Sequence, residues 1–169
     1  MRRFNFLPVV CIAIFILMAA LAYTRPMPIE ELYPDTELSD CVNIRAFALK
    51  NLGGDRKSQH IPAEFEKGSD DYHRLISEFR SRKFRRSLLN WLPRGNSRHE
   101  PEAGDFTWEL ILRLENEKGE ENKDNVIHMR NFYGRLEYFS ADGKTVRCFT
   151  ENQTAWINSV MKMISQDPS

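Results

Sequence analysis

The residues of this sequence that could carry out chemistry are few, and their spacing matches no catalytic motif. The four histidines have no metal-ligand spacing with one another or with the cysteines, so the sequence predicts no metal site. No serine stands in a G-x-S-x-G context, and Gly53-Gly54 is not followed by the Lys-Ser or Lys-Thr of a phosphate-binding loop. We therefore predict no catalytic residue and no cofactor.

Two of the three cysteines, Cys41 and Cys148, lie in the part of the chain that we place outside a membrane below, where a disulfide could form. The predicted strand register points Cys148 into the core. If Val42 and Ile44 also face the core, Cys41 points away from it, unless a β-bulge reverses the alternation. The sequence therefore leaves open both a Cys41–Cys148 disulfide and two unpaired thiols.

A run of basic residues from Phe79 to His99 is the charge feature that could bind a ligand. It has seven bases and no acid: Arg80, Arg82, Lys83, Arg85, Arg86, Arg94 and Arg98. Such a run favours contact with an anionic lipid, a cell-wall polymer or an acidic protein partner. The alternative is a solvated helix end and edge strand, neutralised by residues 100–125, which hold nine acids and three bases.

The chain begins with a strongly apolar segment, and the way this segment crosses a membrane determines on which side the bases lie. No charge occurs from Phe4 to Thr24, and a helix of that length would measure roughly 31 Å, enough to cross a hydrocarbon core. Arg2 and Arg3 precede the segment, which places the N-terminus inside and the domain outside. The segment is either an uncleaved single-pass signal anchor of the cell membrane or a signal peptide cleaved near Ala22, which would release a secreted protein. Because both alternatives put the domain outside, nucleic acid is not an expected partner.

The overall composition hides this division of the chain. The whole sequence is 41% apolar, with 24 Lys and Arg against 24 Asp and Glu, whereas 19 of the first 24 residues are apolar. We predict a signal anchor or signal peptide at 1–24, an extended spacer rich in proline and acids at 25–40, and one domain at 41–169. The charge balance excludes a protein that is strongly basic or strongly acidic throughout.

Hydrophobic periodicity predicts the first elements of the domain. Residues 39–52 are predicted as a strand, with a helix as the rival. Ser69 is expected to cap a helix that ends near Ser81, because the apolar residues beyond that point fall on the opposite side of a helical wheel. Residues 83–92 therefore form a separate element, which we predict as a strand rather than a second helix.

The second half of the domain has the pattern of a strand meander. Strands are predicted at 106–115, where apolar and polar residues alternate, and at 126–130 and 135–139. A capping-box sequence from Thr150 to Gln153 precedes an amphipathic helix at 151–165.

A hairpin is expected around Ala-Asp-Gly143, and its register can be argued. A three-residue loop with a bulge at Gly143 pairs Leu136 with Cys148 and Glu137 with Arg147. A two-residue loop would instead pair Glu137 with Cys148. We prefer the first register because it pairs apolar with apolar residues and acid with base.

These elements predict an α+β fold, an antiparallel β-sheet of about five or six strands with two helices on one face, preceded by one N-terminal transmembrane or signal helix. The predicted core consists of Val42, Ile44, Leu75, Ile76, Phe79, Trp108, Leu110, Leu112, Leu136, Tyr138, Val146, Trp156, Val160 and Ile164.

The order of these segments, with the stretches Tyr72–Arg86 and Phe106–Leu112, resembles that of uncharacterised small secreted or membrane-anchored domains of Gram-positive bacteria. The resemblance covers residues 41–150. It implies a bacterial, extracytoplasmic setting and brings no functional residue with it.

Taken together, the sequence predicts an extracytoplasmic protein, anchored in a membrane through residues 4–24, that acts as a non-enzymatic binding or interaction module. The alternative is an extracytoplasmic hydrolase whose active site no motif reveals. An enzyme needs a pocket in which titratable groups converge, whereas a binding module needs only a basic or aromatic patch.

Overall fold

The computed structural model describes residues 6–34, 36–52, 58–92, 102, 104–115, 121–140 and 142–166. The strands are β1 (Cys41–Lys50), β2 (Gln59–Glu66), β3 (Phe84–Arg86), β4 (Phe106–Glu115), β5 (Glu121–Phe132), β6 (Arg135–Phe139) and β7 (Thr145–Thr150). The helices are α1 (Leu7–Tyr23), α2 (Ile29–Leu32), α3 (Asp70–Ser81) and α4 (Gln153–Gln166). The strands form one antiparallel sheet in the order β2-β1-β4-β5-β6-β7-β3, which confirms the α+β class.

The sheet has seven strands rather than the five or six predicted, because β2 had no clear pattern in the sequence. β2 contains Pro62, which cannot donate a backbone hydrogen bond and usually argues against a strand. The sheet order places β2 at one edge, where proline is tolerated. The sequence pattern therefore missed a strand whose residues do not alternate cleanly.

β1 is a strand, so the helical alternative for residues 39–52 is wrong. Its pairing with β4 shifts register between Cys41 and Asn43, which is the signature of a β-bulge. The bulge turns Cys41 fully into the core and leaves Val42 half-buried, so the predicted inward orientation of Val42 is wrong. Beyond the bulge, Ile44 faces the core as predicted.

α3 begins and ends where the sequence predicts. The Ser69 side chain accepts a hydrogen bond from the backbone N–H of Tyr72 at 3.2 Å, which caps the first turn. The helix ends at Ser81, and the next element is not a continuous strand. It divides into the three-residue β3 and a 3-10 helix at Leu88–Trp91, so the strand prediction for residues 83–92 is correct only for β3.

The β6–β7 hairpin has the register that charge and hydrophobic pairing favour. Leu136 lies opposite Cys148 and Glu137 lies opposite Arg147, which confirms the three-residue loop. Gly143 has a φ of 76°, a left-handed backbone conformation that glycine adopts without the steric cost other residues bear.

α4 follows β7 directly, but the predicted capping box does not form. Thr150 is the last residue of β7, and its hydroxyl donates to the backbone carbonyl of Lys83 at 2.9 Å. Gln153 donates its side-chain amide to the carbonyl of Gly134. The two side chains therefore connect α4 and β7 to neighbouring segments instead of capping the helix.

Residues 25–40 are predicted as an extended spacer, but the described part of this segment, residues 25–34 and 36–40, packs onto the domain. Their buried apolar side chains are Met27, Ile29, Leu32, Tyr33 and Leu38. The hydroxyl of Tyr33 donates to the backbone carbonyl of His128 in the middle of the sheet. Pro28 precedes the short helix α2, whose Ile29 and Leu32 belong to the core.

Four aromatic rings form the centre of the core between α3, α4 and the sheet. Trp156 meets Phe79, Phe84 and Trp108 edge to face, with ring centroids 5.5, 5.8 and 5.8 Å apart. All four side chains are almost completely buried. This cluster fixes β3, and with it the basic residues on either side of Phe84, to the rest of the sheet.

α1 lies apart from this core. None of its residues is buried, and it contains no charged residue. Among the described residues, none of the helices has both the length and the apolar composition needed to cross a membrane.

Candidate functional site

A basic cavity of about 720 Å³ opens at the edge of the sheet beside β3. Its walls come from three segments that are distant in sequence, namely the chain after α1, the α3–β3 junction and the β7–α4 junction. The lining residues are Pro26, Ser81, Arg82, Lys83, Arg85, Phe149, Thr150, Glu151 and Asn152. Three of the seven predicted anion-binding residues meet here.

The side chain of Arg82 is held in the wall of the cavity by hydrogen bonds, and its charge is paired. Its guanidinium donates to the carboxylate of Glu78 at 3.0 and 3.1 Å and to the backbone carbonyl of Glu151 at 2.9 Å. The same group lies 5.2 Å from the ring centroid of Trp156. Because Glu78 balances its charge, Arg82 positions the β7–α4 junction and adds little net attraction for an anion.

Lys83 and Arg85 supply the net positive charge of the cavity. Both are exposed, and they flank Phe84, which is buried. Successive side chains of a strand point to opposite sides, so burial of Phe84 directs both neighbours outward together. Within the described part of the chain, neither side chain has an ion-pair partner.

Backbone contacts hold β3 in place from both sides. On one side it pairs with β7. On the other, Met27 and Phe84 exchange two backbone hydrogen bonds of 2.9 and 2.8 Å, which form an isolated bridge. The bridge satisfies part of an otherwise open sheet edge, and Pro26 beside it closes the cavity.

The remaining bases of the predicted run do not join the cavity. Arg80 is exposed on α3 and is not a lining residue. Arg86 faces the other way, donates to the hydroxyl of Tyr138 at 3.2 Å and lies 5.7 Å from the ring centroid of Tyr23 at the end of α1. Arg94 and Arg98 lie outside the described residues. The run is therefore divided between two surfaces rather than forming one patch.

The cysteines are unpaired thiols in this structure. The sheet order separates β1 from β7 by four strand positions, or roughly 19 Å at the usual strand spacing. A disulfide needs Cα atoms within about 7 Å, so Cys41 and Cys148 are too far apart to bond. Of the two alternatives that the sequence left open, the structure has the free thiols.

Both buried thiols are held in their protonated form. Burial raises the pKa of the Cys148 thiol to about 12, with a further contribution from Glu137, and burial raises that of Cys41 to about 11. A thiol with a raised pKa is a poor nucleophile at neutral pH. These residues act as small apolar core residues.

His128 lies on the solvent-facing side of the sheet, away from the cavity. Its Nε2 atom is 3.7 Å from the nearest Glu109 carboxylate oxygen, beyond hydrogen-bond distance, and its ring stacks on Phe139 with centroids 4.0 Å apart. Burial lowers the pKa of His128, although Glu109 opposes the shift. In the described segments, no three His, Cys, Asp or Glu side chains are grouped so that they could hold a metal ion.

Ser81, Thr150 and Asn152 were not predicted as site residues, because no linear pattern connects them with Lys83. The hydrogen bonds from Thr150 to Lys83 and from Arg82 to Glu151, together with the β3–β7 pairing, bring them together. No family model, curated protein or solved structure matches this chain. The chemistry of the cavity consists of two unbalanced cations, a fixed guanidinium, hydroxyl and amide groups, and one carboxylate.

Proposed function

We propose that this protein is a membrane-anchored, extracytoplasmic binding module whose cavity beside β3 takes a phosphate group of an anionic ligand. The observation that carries the proposal is α1, an uncharged helix with no buried residue beside a folded domain with a basic cavity. No chemical step is required of the protein in this role, only retention at a surface and recognition of charge.

The exposure of α1 supports a lipid environment for it. From Leu7 to Leu21, its large apolar side chains are 50 to 75% exposed, which is unusual for a helix that remains in water. A helix that docks on another protein has one apolar face, whereas α1 is apolar on all sides. Lipid covers a helix from every direction. The uncharged sequence also continues beyond α1, from Phe4 to Thr24.

The anchor can be tested by membrane fractionation of the natural host or an expression strain. We expect the full chain in the membrane fraction after an alkaline carbonate wash, with its N-terminal residues intact. A soluble product beginning at Tyr23 would overturn the anchor and support cleavage near Ala22.

The cavity supports an anionic ligand because Lys83 and Arg85 are exposed, line the same cavity and have no acidic ion-pair partner among the described residues. The side-chain amide of Asn152 lies beside them, as expected where phosphate oxygens accept hydrogen bonds. The carboxylate of Glu151 also lines the cavity and repels an anion that approaches from the α4 side. Lipid headgroups and phosphate-containing cell-wall polymers share this chemistry.

Ligand binding can be tested with the full chain in nanodiscs of zwitterionic lipid. Binding is measured separately for added phosphatidylglycerol and for a purified cell-wall phosphate polymer. We expect Lys83→Gln with Arg85→Gln to weaken binding of the recognised ligand about tenfold, equivalent to about 1.4 kcal/mol.

The matched control is Lys50→Gln with Arg74→Gln, which removes the same charge from exposed positions on β1 and α3. It should change affinity by less than about twofold, since distant surface charges are screened by salt. Equal losses in both variants would mean that net charge, not the cavity, attracts the ligand.

A further inference from the structure

The turn that follows β3 has an unusual distribution of polar and apolar side chains. We call residues 88–92, which comprise the 3-10 helix and Leu92, the interfacial loop. Its four large apolar side chains point outward, with exposed fractions of 45% for Leu88, 53% for Leu89, 51% for Trp91 and 60% for Leu92. Water-exposed turns normally present polar residues instead.

The polar residue of this loop, Asn90, points inward and fixes the loop to the sheet. Its side-chain amide donates to the carbonyl of Arg147 at 2.9 Å, and its carbonyl accepts from the N–H of Arg147 at the same distance. The Ser87 hydroxyl accepts from the N–H of Leu89 and caps the short helix. The outward display of apolar groups is therefore built by specific hydrogen bonds.

The interfacial loop packs against the last residue of α1. The rings of Trp91 and Tyr23 lie with centroids 5.0 Å apart, and Asn90 donates to the Tyr23 hydroxyl at 3.3 Å. Tyr23 is the last residue of α1, where an apolar helix would leave the lipid. Tryptophan and tyrosine are enriched at that depth of a bilayer because their rings are amphipathic.

Positive charges lie immediately behind this apolar surface. The guanidinium of Arg86, the last residue of β3, lies over the Tyr23 ring at 5.7 Å, and Lys83 and Arg85 precede it in sequence on the cavity side. Basic side chains next to a membrane surface are attracted to anionic headgroups, with about 1 kcal/mol for each Lys or Arg. The outward apolar side chains of the interfacial loop and the bases nearer the sheet would match the acyl layer and the headgroup layer of a lipid leaflet.

We infer that the interfacial loop is a second membrane contact, which inserts its apolar side chains into the headgroup and upper acyl region of an anionic bilayer beside α1. This inference rests on the proposed anchoring of α1 and adds an orientation to it. β3 lies at the edge of the sheet that faces the bilayer, and β2, at the opposite edge, points away from it.

Trp91 is a natural probe of this contact. The chain has three tryptophans, and the other two, Trp108 and Trp156, are almost completely buried. The experiment reconstitutes the full chain in phosphatidylglycerol-containing vesicles whose acyl chains are brominated at a shallow or a deep position, because bromine quenches a tryptophan that it contacts. We expect a loss of emission that is larger with the shallow bromines and that disappears in Trp91→Phe.

A second variant reports on orientation. Phe47 on β1 is 47% exposed and lies far from β3 in the sheet order, so Phe47→Trp in the Trp91→Phe background should show no quenching. Equal quenching at positions 47 and 91 would contradict the orientation. Unquenched Trp91 emission at the wavelength of a water-exposed indole would overturn the loop contact itself.

The same samples separate this inference from the proposed anchoring. Flotation of the vesicles on a density gradient measures whether the chain is attached at all. A chain that floats but whose Trp91 is unquenched retains the anchor and loses the interfacial loop. A chain that does not float loses both.

Discussion

The carboxylate of Glu137 on β6 accepts two hydrogen bonds from the guanidinium of Arg130 on β5, at 2.7 and 3.0 Å. The two residues are direct partners in the antiparallel register, and Arg147 approaches the same carboxylate from β7 at 3.9 Å. Glu137 is only 7% exposed, so its charge depends on these partners rather than on water. Three adjacent strands are thereby tied together on the solvent-facing side of the sheet.

Replacement of this carboxylate should lower stability. Glu137→Gln leaves two arginines beside a neutral amide, and we expect the free energy of unfolding to fall by about 2 kcal/mol, as for the loss of charged hydrogen bonds. Urea unfolding followed by circular dichroism in mild detergent measures the change. Lys144→Gln is the control, because the Lys144–Asp142 pair is exposed to solvent and should contribute much less to stability. Equal effects in both variants would refute the importance of burial.

The aromatic cluster should be the most sensitive part of the core. Trp156→Ala removes the ring that contacts Phe79, Phe84 and Trp108, and we expect a loss of about 3 to 5 kcal/mol. Phe47→Ala serves as the control, because Phe47 is about half exposed and its removal leaves no buried cavity. Thermal unfolding of both variants tests the prediction. A Trp156 variant as stable as the Phe47 variant would mean that the cluster is not the centre of the core.

Stability should fall at alkaline pH because of the buried thiols. The pKa of Cys148 rises by burial from 9 in the unfolded chain to about 12, and that of Cys41 rises to about 11. The folded state therefore keeps protons that the unfolded chain releases, so their contribution is complete below pH 9 and is lost as pH rises towards 11 to 12. Each thiol changes the free energy of unfolding by at most about 1.4 kcal/mol per pH unit, which is the largest slope that it can add to a plot of this free energy against pH.

Denaturant titrations at several values between pH 8 and pH 11 measure that slope. Cys148→Ala should make it shallower, because the folded protein then no longer keeps this proton. An identical slope in wild type and Cys148→Ala would show that this thiol is not held protonated by the fold.

At mildly acidic pH, His128 should contribute a loss of stability. Burial lowers its pKa below 6.5 despite the opposing carboxylate of Glu109. The unfolded chain therefore binds this proton first, and the contribution, present above pH 6.5, is lost as pH falls through the folded pKa. Comparison of the pH dependence of unfolding with that of His128→Asn tests this, and we expect the variant to lose less stability between pH 7 and pH 5. A steeper loss in the variant would mean that Glu109 dominates and His128 is charged in the folded protein.

Local sequence patterns were sufficient for the elements whose residues determine their own geometry. Ser69 and two following acids predicted the start of α3, and the phase break after Phe79 predicted its end. Pairing of Glu137 with Arg147 predicted the register of the β6–β7 hairpin, because only one register matches both faces. In each case, the interacting residues lie within about one hairpin or a few helical turns of each other.

The sequence did not predict the features that depend on distant partners. β2 could not be recognised from the sequence because it contains Pro62, and its place in the sheet depends on pairing with β1. The bulge at Cys41 is an irregularity in its pairing with β4, and it reverses which side chains reach the core. Residues 25–40 looked like a polar spacer, yet Ile29 and Leu38 are buried, since the sheet and helices leave space for them.

The sequence by itself determined that a long apolar N-terminal segment precedes a domain with a basic run. It also determined the α+β class, because hydrophobic period is a property of neighbouring residues. Only the tertiary structure decided how that basic run is used. Burial of Phe84 turns Lys83 and Arg85 into the cavity, while Arg86 turns towards Tyr23 and the interfacial loop. Side chains adjacent in sequence are separated in this way because alternate strand positions face opposite sides, and the core determines which side each one faces.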